Sequence, residues 1–228
     1  MGRSGPMVFG AAAVLAAAAF LAAAVPAGAQ LAVADRHVRR DGGKLTLDIH
    51  YPRTGRAAID RKLADYALGL ARIDAKTLSY ATRERPYSVT LTYKVMRNDP
   101  RIFSVLFQGD VFTGGAHGLP VVQSFNLRLP EGRELALGDL VAGPPALERI
   151  SRLARAELTR RLSKDGATQF IQDGTAPKPE SFAVFAWLPD ALVVEFPPYQ
   201  VAPYVYGTQS VTIPKTALAG VIRPDAPR

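Results

Sequence analysis

The residues able to do chemistry in this chain are concentrated in two short segments. Thr113-Gly114-Gly115-Ala116-His117-Gly118 places three glycines around a histidine, and Tyr199-Gln200-Val201-Ala202-Pro203-Tyr204-Val205-Tyr206-Gly207 carries three tyrosines, a proline and a closing glycine. An imidazole is the usual acid–base or ligand group near neutral pH. Glycine permits positive φ and close backbone approach, so the first segment reads as a sharply folded loop. Tyrosine rings on a proline-stiffened loop offer a flat apolar surface with a hydroxyl at its edge. Each segment also has a plainer reading: the histidine caps backbone groups in a tight turn, and the tyrosines fill a core. The candidate ligand contacts are Thr113, Gly114, Gly115, His117, Gly118, Tyr199, Gln200, Pro203, Tyr204, Tyr206 and Gly207. The spacing has Tyr204 and Tyr206 pointing the same way, with Tyr199 tucked under the sheet after Phe196.

Signatures of named chemistries are missing. There is no Gly-x-Ser-x-Gly elbow, no Walker loop and no Gly-x-Gly-x-x-Gly. The histidines at 37, 50 and 117 have no chelating spacing, and the chain has no cysteine, which excludes disulfides and thiolate metal sites. No catalytic residue, metal ligand or cofactor is therefore assigned. A carboxylate pair for glycoside cleavage meets only in three dimensions; Asp110 and Glu195, each preceding one of the two loops, are the nearest candidates. Glu195 alternates with apolar neighbours, which predicts an exposed carboxylate on a sheet face.

The elements that must hold these loops follow from periodicity. Residues 30–43 show no pattern and are expected to be poorly ordered. Leu45, Leu47, Ile49 and Tyr51 alternate with Thr46, Asp48 and His50, a half-buried strand. Ile59, Leu63, Tyr66, Leu70 and Ile73 fall on one face of a helix from Arg56 to about Tyr80. Tyr87–Val95 and Ile102–Gln108 read as a hairpin through Asn98-Asp99-Pro100, and Leu119–Leu129 as a further strand. A helix is expected over Pro145–Ser163, a loop over Gly166–Pro179, a hairpin from Phe182–Trp187 and Leu192–Phe196, and a last strand at Ser210–Ile213. The fold class is α+β: two packed subdomains, each of antiparallel strands with one long helix, spanning 30–98 and 99–222, with a tail at 223–228.

The N-terminus supplies a destination. Arg3 precedes an alanine-dominated apolar stretch from Met7 to Val25, Pro26 breaks it, and Ala27-Gly28-Ala29 fits a signal peptidase site. Residues 1–29 are expected to leave as a signal peptide, with cleavage between Ala29 and Gln30; a retained membrane anchor is the other reading. The net charge is +8, which attracts anionic envelope polymers or lipids, while export argues against nucleic acid.

The two loops together resemble the extracytoplasmic domain family of RsiV-type lysozyme-sensing anti-sigma factors, which also forms the N-terminal part of PdaC-type peptidoglycan deacetylases. The resemblance is strongest over residues 103–213 and is one of pattern only from Lys44 to Val95. Relatives carry an acidic residue after the first tyrosine and a small one after the second, where this chain has Gln200 and Val205. The resemblance implies a periplasmic or secreted, non-enzymatic binding module for a cell-wall glycan fragment or a lysozyme-like protein. Its membrane contact would be limited to the signal segment before cleavage. Only six residues precede the apolar stretch and the chain ends at Arg228, so neither sigma-factor signalling nor deacetylation is expected of it. A cell-wall hydrolase using His117, or a structural envelope protein without a ligand, are the alternatives.

Overall fold

The computed structural model describes residues 30–162 and 167–227. The expected signal segment with Ala29, and the expected helix end at Ser163, lie outside them. Two sheets carry the fold. The larger has six strands in sequence order: β1 (Ala34–Arg40), β2 (Leu45–Arg53), β3 (Tyr87–Asn98), β4 (Ile102–Phe112), β5 (Leu119–Arg128) and β6 (Arg133–Glu134). The smaller runs β7 (Phe185–Trp187), β8 (Ala191–Phe196), β9 (Gln209–Pro214).

Between β2 and β3 the chain forms α1 (Ala57–Gly69) and α2 (Ala75–Ser79) where one helix was expected. The break follows Gly69, and the Asp74 carboxylate then accepts the Thr77 N–H at 2.9 Å, which starts a new helix. Ile59, Leu63 and Ala67 are the buried stripe of α1. Because this helical connection carries the chain back over the sheet, β3 pairs with β2 in parallel, a correction to the all-antiparallel expectation. β1 is a second correction. Four of its seven residues are charged and six are exposed, so no alternation betrays them, yet they pair antiparallel with β2 as an edge strand. An edge needs no second buried face, and its charge discourages further pairing.

The expected subdomain boundary at 98/99 falls inside the β3–β4 hairpin, where Asp99 accepts the N–H groups of Arg101 and Ile102 at 2.8 and 2.9 Å. The cores divide later in the chain. One packs α1 against β2–β5 through Leu63, Val89, Leu91, Phe107 and Leu127. The other packs α3 (Gly143–Leu162) against β7–β9 through Ile150, Leu158, Trp187, Leu192 and Phe196. The expected loop at 166–179 contains a helix instead, α4 (Thr168–Gly174), whose apolar Ile171 is buried. A single buried contact is too short a signal for periodicity.

Side chains of β5 join the two sheets. Ser124 Oγ accepts the Phe185 N–H at 2.9 Å. Asn126 accepts the Trp187 N–H at 3.0 Å and donates to the Phe185 carbonyl at 2.7 Å. The backbone groups of the β7 edge are thus satisfied inside the protein. Residues 223–227 are no free tail, because the Trp187 indole donates to the Pro227 carbonyl at 2.7 Å and Ala226 is buried.

Candidate functional site

The glycine–histidine loop is the turn from β4 to β5. Gly114 and Gly115 have φ of +96° and +106°, which side chains resist, so their glycines are needed for the turn. Gly118 is needed for space: a Cβ there would lie 1.9 Å from Asp110 Oδ1. His117 Nδ1 lies 2.8 Å from the Gly118 carbonyl. A carbonyl only accepts, so Nδ1 carries the proton and Nε2 of the neutral ring is left as an acceptor.

The tyrosine loop leaves the end of β8 and is pinned from below. Val201 and Ala202 are buried, the Tyr199 N–H donates to the Ala202 carbonyl at 3.1 Å, and Gln200 N–H to that of Pro197 at 3.1 Å. Tyr199 has φ +72°, the one described non-glycine residue with positive φ, which swings its ring outward. Pro203 leads into a single 3-10 turn, Tyr204–Tyr206, that ends at Gly207 with φ +63°.

These loops meet. The His117 and Tyr204 rings stack with centroids 4.4 Å apart and planes 19° from parallel. Tyr199 lies against Tyr204 at 5.5 Å, and its hydroxyl is 3.4 Å from His117 Nε2, positioned to donate to it. The result is a surface of three rings held by two short, internally bonded loops. The platform is amphipathic, with apolar ring faces and hydroxyls at its margin.

Other residues of the candidate set fall elsewhere. Gln200 turns inward, donating through Nε2 to the carbonyls of Gly174 and Ser181 at 2.9 and 2.8 Å, so its amide N–H groups serve the fold. Tyr206 packs against the C-terminal core while Tyr204 faces the histidine. Their expected shared direction assumed strand alternation, and a 3-10 turn rotates the second residue away. Tyr199, expected under the sheet, is 51% exposed. Thr113 is half-buried. Glu195 corrects another expectation: it is only 8% exposed, its carboxylate accepts the Ser210 hydroxyl at 2.9 Å, and burial pushes its pKa up. Apolar neighbours on both sides of Glu195 reflected burial of both faces of β8.

On one face of the large sheet the strand register lines up Asp48, Thr90 and Asp110 in one row, with Thr92 opposite Gln108 two residues further along. At the β1–β2 end of this face His37, Asp48 and His50 come together, with ligand atoms all within 4.8 Å of one another. Sequence reasoning missed this group and assigned no metal ligand. Asp48 and His50 were already legible on one face of β2; His37 was not, because β1 was not seen as a strand.

Residues 45–120 match the family model described as deacetylase PdaC, and residues 139–216 match that of the protein of unknown function DUF3298. The chain is 26% identical over 187 residues to the peptidoglycan-N-acetylmuramic acid deacetylase PdaC of Bacillus subtilis (strain 168), a match covering 80% of this chain and 40% of that protein. It thus spans less than half of the curated relative's length. Among solved structures it resembles a DUF3298 family protein from Pseudomonas aeruginosa PAO1 (TM-score 0.65, 20% identity, 86% of this chain and 94% of that one). It also resembles a member of the same family from Bacteroides fragilis NCTC 9343 (TM-score 0.63, 17% identity, 87% and 96%). At these identities the structures speak for the fold, which is α+β. The PdaC-like resemblance read from the sequence is borne out by these matches. His117 belongs to the PdaC-matched segment and the tyrosine loop to the DUF3298-matched one, so the platform forms where the two family patterns meet.

Proposed function

We propose that this chain, whose two segments carry the PdaC and DUF3298 family patterns, is an exported envelope module that binds a cell-wall glycan fragment on the His117–Tyr199–Tyr204 platform. The observation that carries this reading is the stacked ring group, His117 and Tyr199 exposed and Tyr204 half-buried, held by two glycine-bearing loops. Flat rings pack on the apolar face of a sugar, and hydroxyls at the ring edges reach its polar groups. Preorganised loops lose little conformational freedom on binding, which raises affinity. Similarity to a protein named as a peptidoglycan deacetylase points the ligand class towards peptidoglycan.

Export fits the way the fold begins. Leu31, one residue after the expected mature N-terminus at Gln30, is 4% exposed. Its N–H donates to Asn98 Oδ1 at 2.9 Å and its carbonyl accepts from Asn98 Nδ2 at 2.8 Å. Among the described residues no helix is long and apolar enough to cross a membrane.

The platform favours binding over hydrolysis. Among the described residues the side chain bonded to His117 is that of Tyr199, and its Nδ1 is committed to a backbone carbonyl, an arrangement in which no described carboxylate orients the ring as a general base. The test is co-sedimentation of the purified protein with peptidoglycan sacculi, alongside capture by immobilised lysozyme. Wild-type binding to sacculi that is lost in both His117→Ala and Tyr204→Ala supports the reading. Sacculus binding equal in wild type and both variants would sink it, and capture by lysozyme alone would transfer the platform to a protein ligand.

A further inference from the structure

The free edge of the large sheet holds a side-chain cluster separate from the loop platform. The β1–β2 register sets His37 opposite His50, Arg39 opposite Asp48 and Asp35 opposite Pro52. Asp35, His37, Asp48 and His50 therefore project from one face. The two imidazoles lie side by side, centroids 4.0 Å apart and planes 14° from parallel. Both Nε2 atoms converge on one oxygen, with His37 Nε2 at 2.8 Å and His50 Nε2 at 3.5 Å from Asp48 Oδ1. The Asp35 carboxylate takes the other side of His50, 2.9 Å from its Nδ1.

We propose that His37, His50 and Asp48 bind a divalent transition-metal ion, zinc being the best fit, with Asp35 orienting His50 from outside. Zinc bonds of about 2.0–2.2 Å to nitrogen and oxygen put tetrahedral ligand atoms roughly 3.3–3.5 Å apart. The two edges measured here, 2.8 and 3.5 Å, bracket that spacing, so a small splaying of the stacked rings would admit the ion. Asp35 supplies the outer contact that metal-bound histidines regularly make: it accepts the Nδ1–H and leaves the Nε2 lone pair for the metal. On loading, His37 must carry its proton on Nδ1, since Nε2 becomes a ligand. Two imidazoles with one carboxylate suit zinc and the late first-row ions, whereas calcium and magnesium require all-oxygen sets. The Arg39 guanidinium, opposite Asp48 in the register, is turned to Asp41 at 2.7 Å. Three protein ligands leave a fourth position for water or an oxygen of a bound molecule. Two strand spacings separate Asp48 from Asp110 in the same row, about 10 Å, so the ion would share the sheet face with the carboxylate that abuts Gly118.

The test is calorimetric titration of the tag-free protein with zinc chloride, with cobalt(II) absorption reporting the coordination geometry. One ion per chain is expected, held at least about tenfold more weakly by His37→Ala and by His50→Ala. Asp35→Asn should weaken it by about tenfold with the stoichiometry kept, and His117→Ala should leave it unchanged. His37 lies on the exposed edge strand, so circular dichroism of His37→Ala separates lost binding from lost folding. Wild-type protein that takes up no zinc at millimolar concentration overturns the site. So does a folded His37→Ala/His50→Ala double variant that retains wild-type affinity. Unchanged affinity in Asp35→Asn would overturn the orienting role.

Discussion

Tyr204 and Tyr206 stand two residues apart and do different work, because Tyr204 stacks on His117 whereas Tyr206 packs against the C-terminal core. Tyr204→Ala is expected to weaken glycan capture by about 2 kcal/mol, roughly thirtyfold, with the melting temperature little changed. Tyr206→Ala should do the reverse, costing about 2 kcal/mol of stability, less than a fully buried aromatic would. Parallel melts and sacculus binding of the two variants check the division. Lys215 provides a pH prediction. Its ammonium sits 3.9 Å from the Trp187 ring centroid, and burial, followed by the nearby positive charge of Arg97, lowers its pKa to about 8. Between pH 8 and 10 the unfolded chain holds a proton that the folded chain has released, so stability rises with pH across that window. Above pH 10 the Tyr66 hydroxyl, pushed up to about 12 by burial, reverses the slope. Urea midpoints at pH 8 and 10 should show the rise, and Lys215→Met should flatten it.

At the scale of elements, β5 is the strand on which both sheets depend. Asn126 serves the N–H of Trp187 and the carbonyl of Phe185, and its Oδ1 also accepts the Ser104 hydroxyl at 2.7 Å. Asn126→Ala would leave these buried groups unpaired, at about 1–3 kcal/mol for each group left without a partner. We expect a loss of about 3 kcal/mol in urea unfolding. The loop between β4 and β5 tolerates change differently. Gly118→Ala meets the Asp110 carboxylate, the movable end of a side chain, where a backbone neighbour could not yield. Its effect should appear as lost sacculus binding through a displaced His117, with a smaller change in the melting temperature.

Over the whole molecule, the net charge of +8, lowered by one when Arg3 leaves with the signal segment, would supply an attraction to anionic polymer distinct from the platform. Charge attraction is screened by salt and ring stacking is not. Sacculus binding should therefore fall in part between low and physiological salt, with the salt-resistant remainder abolished by Tyr204→Ala. Binding that disappears entirely with salt in the wild type would assign the interaction to charge alone. Export belongs to this scale too: mass spectrometry of the protein from its native host should find Gln30 at the N-terminus.

The sequence by itself determined the α+β class, the strand faces of β2 and β3, the stripe of α1, and the two loops that carry the ring platform. Each rests on local rules: a period of two or of 3.6 when one face is buried, and glycine where the backbone must turn sharply. The tertiary structure decided the rest, where burial or pairing comes from distant chain. Glu195 read as exposed because alternation cannot register a second covered face. β1 read as unordered because a charged edge strand needs only a neighbour, and without β1 the approach of His37 to His50 had no signal. The contact of His117 with Tyr199 and Tyr204 joins residues about eighty positions apart, a meeting set by the Ser124–Asn126 seam and the inward-turned Gln200. Segment chemistry is local, but a site is a distance between segments, and that distance is fixed by packing.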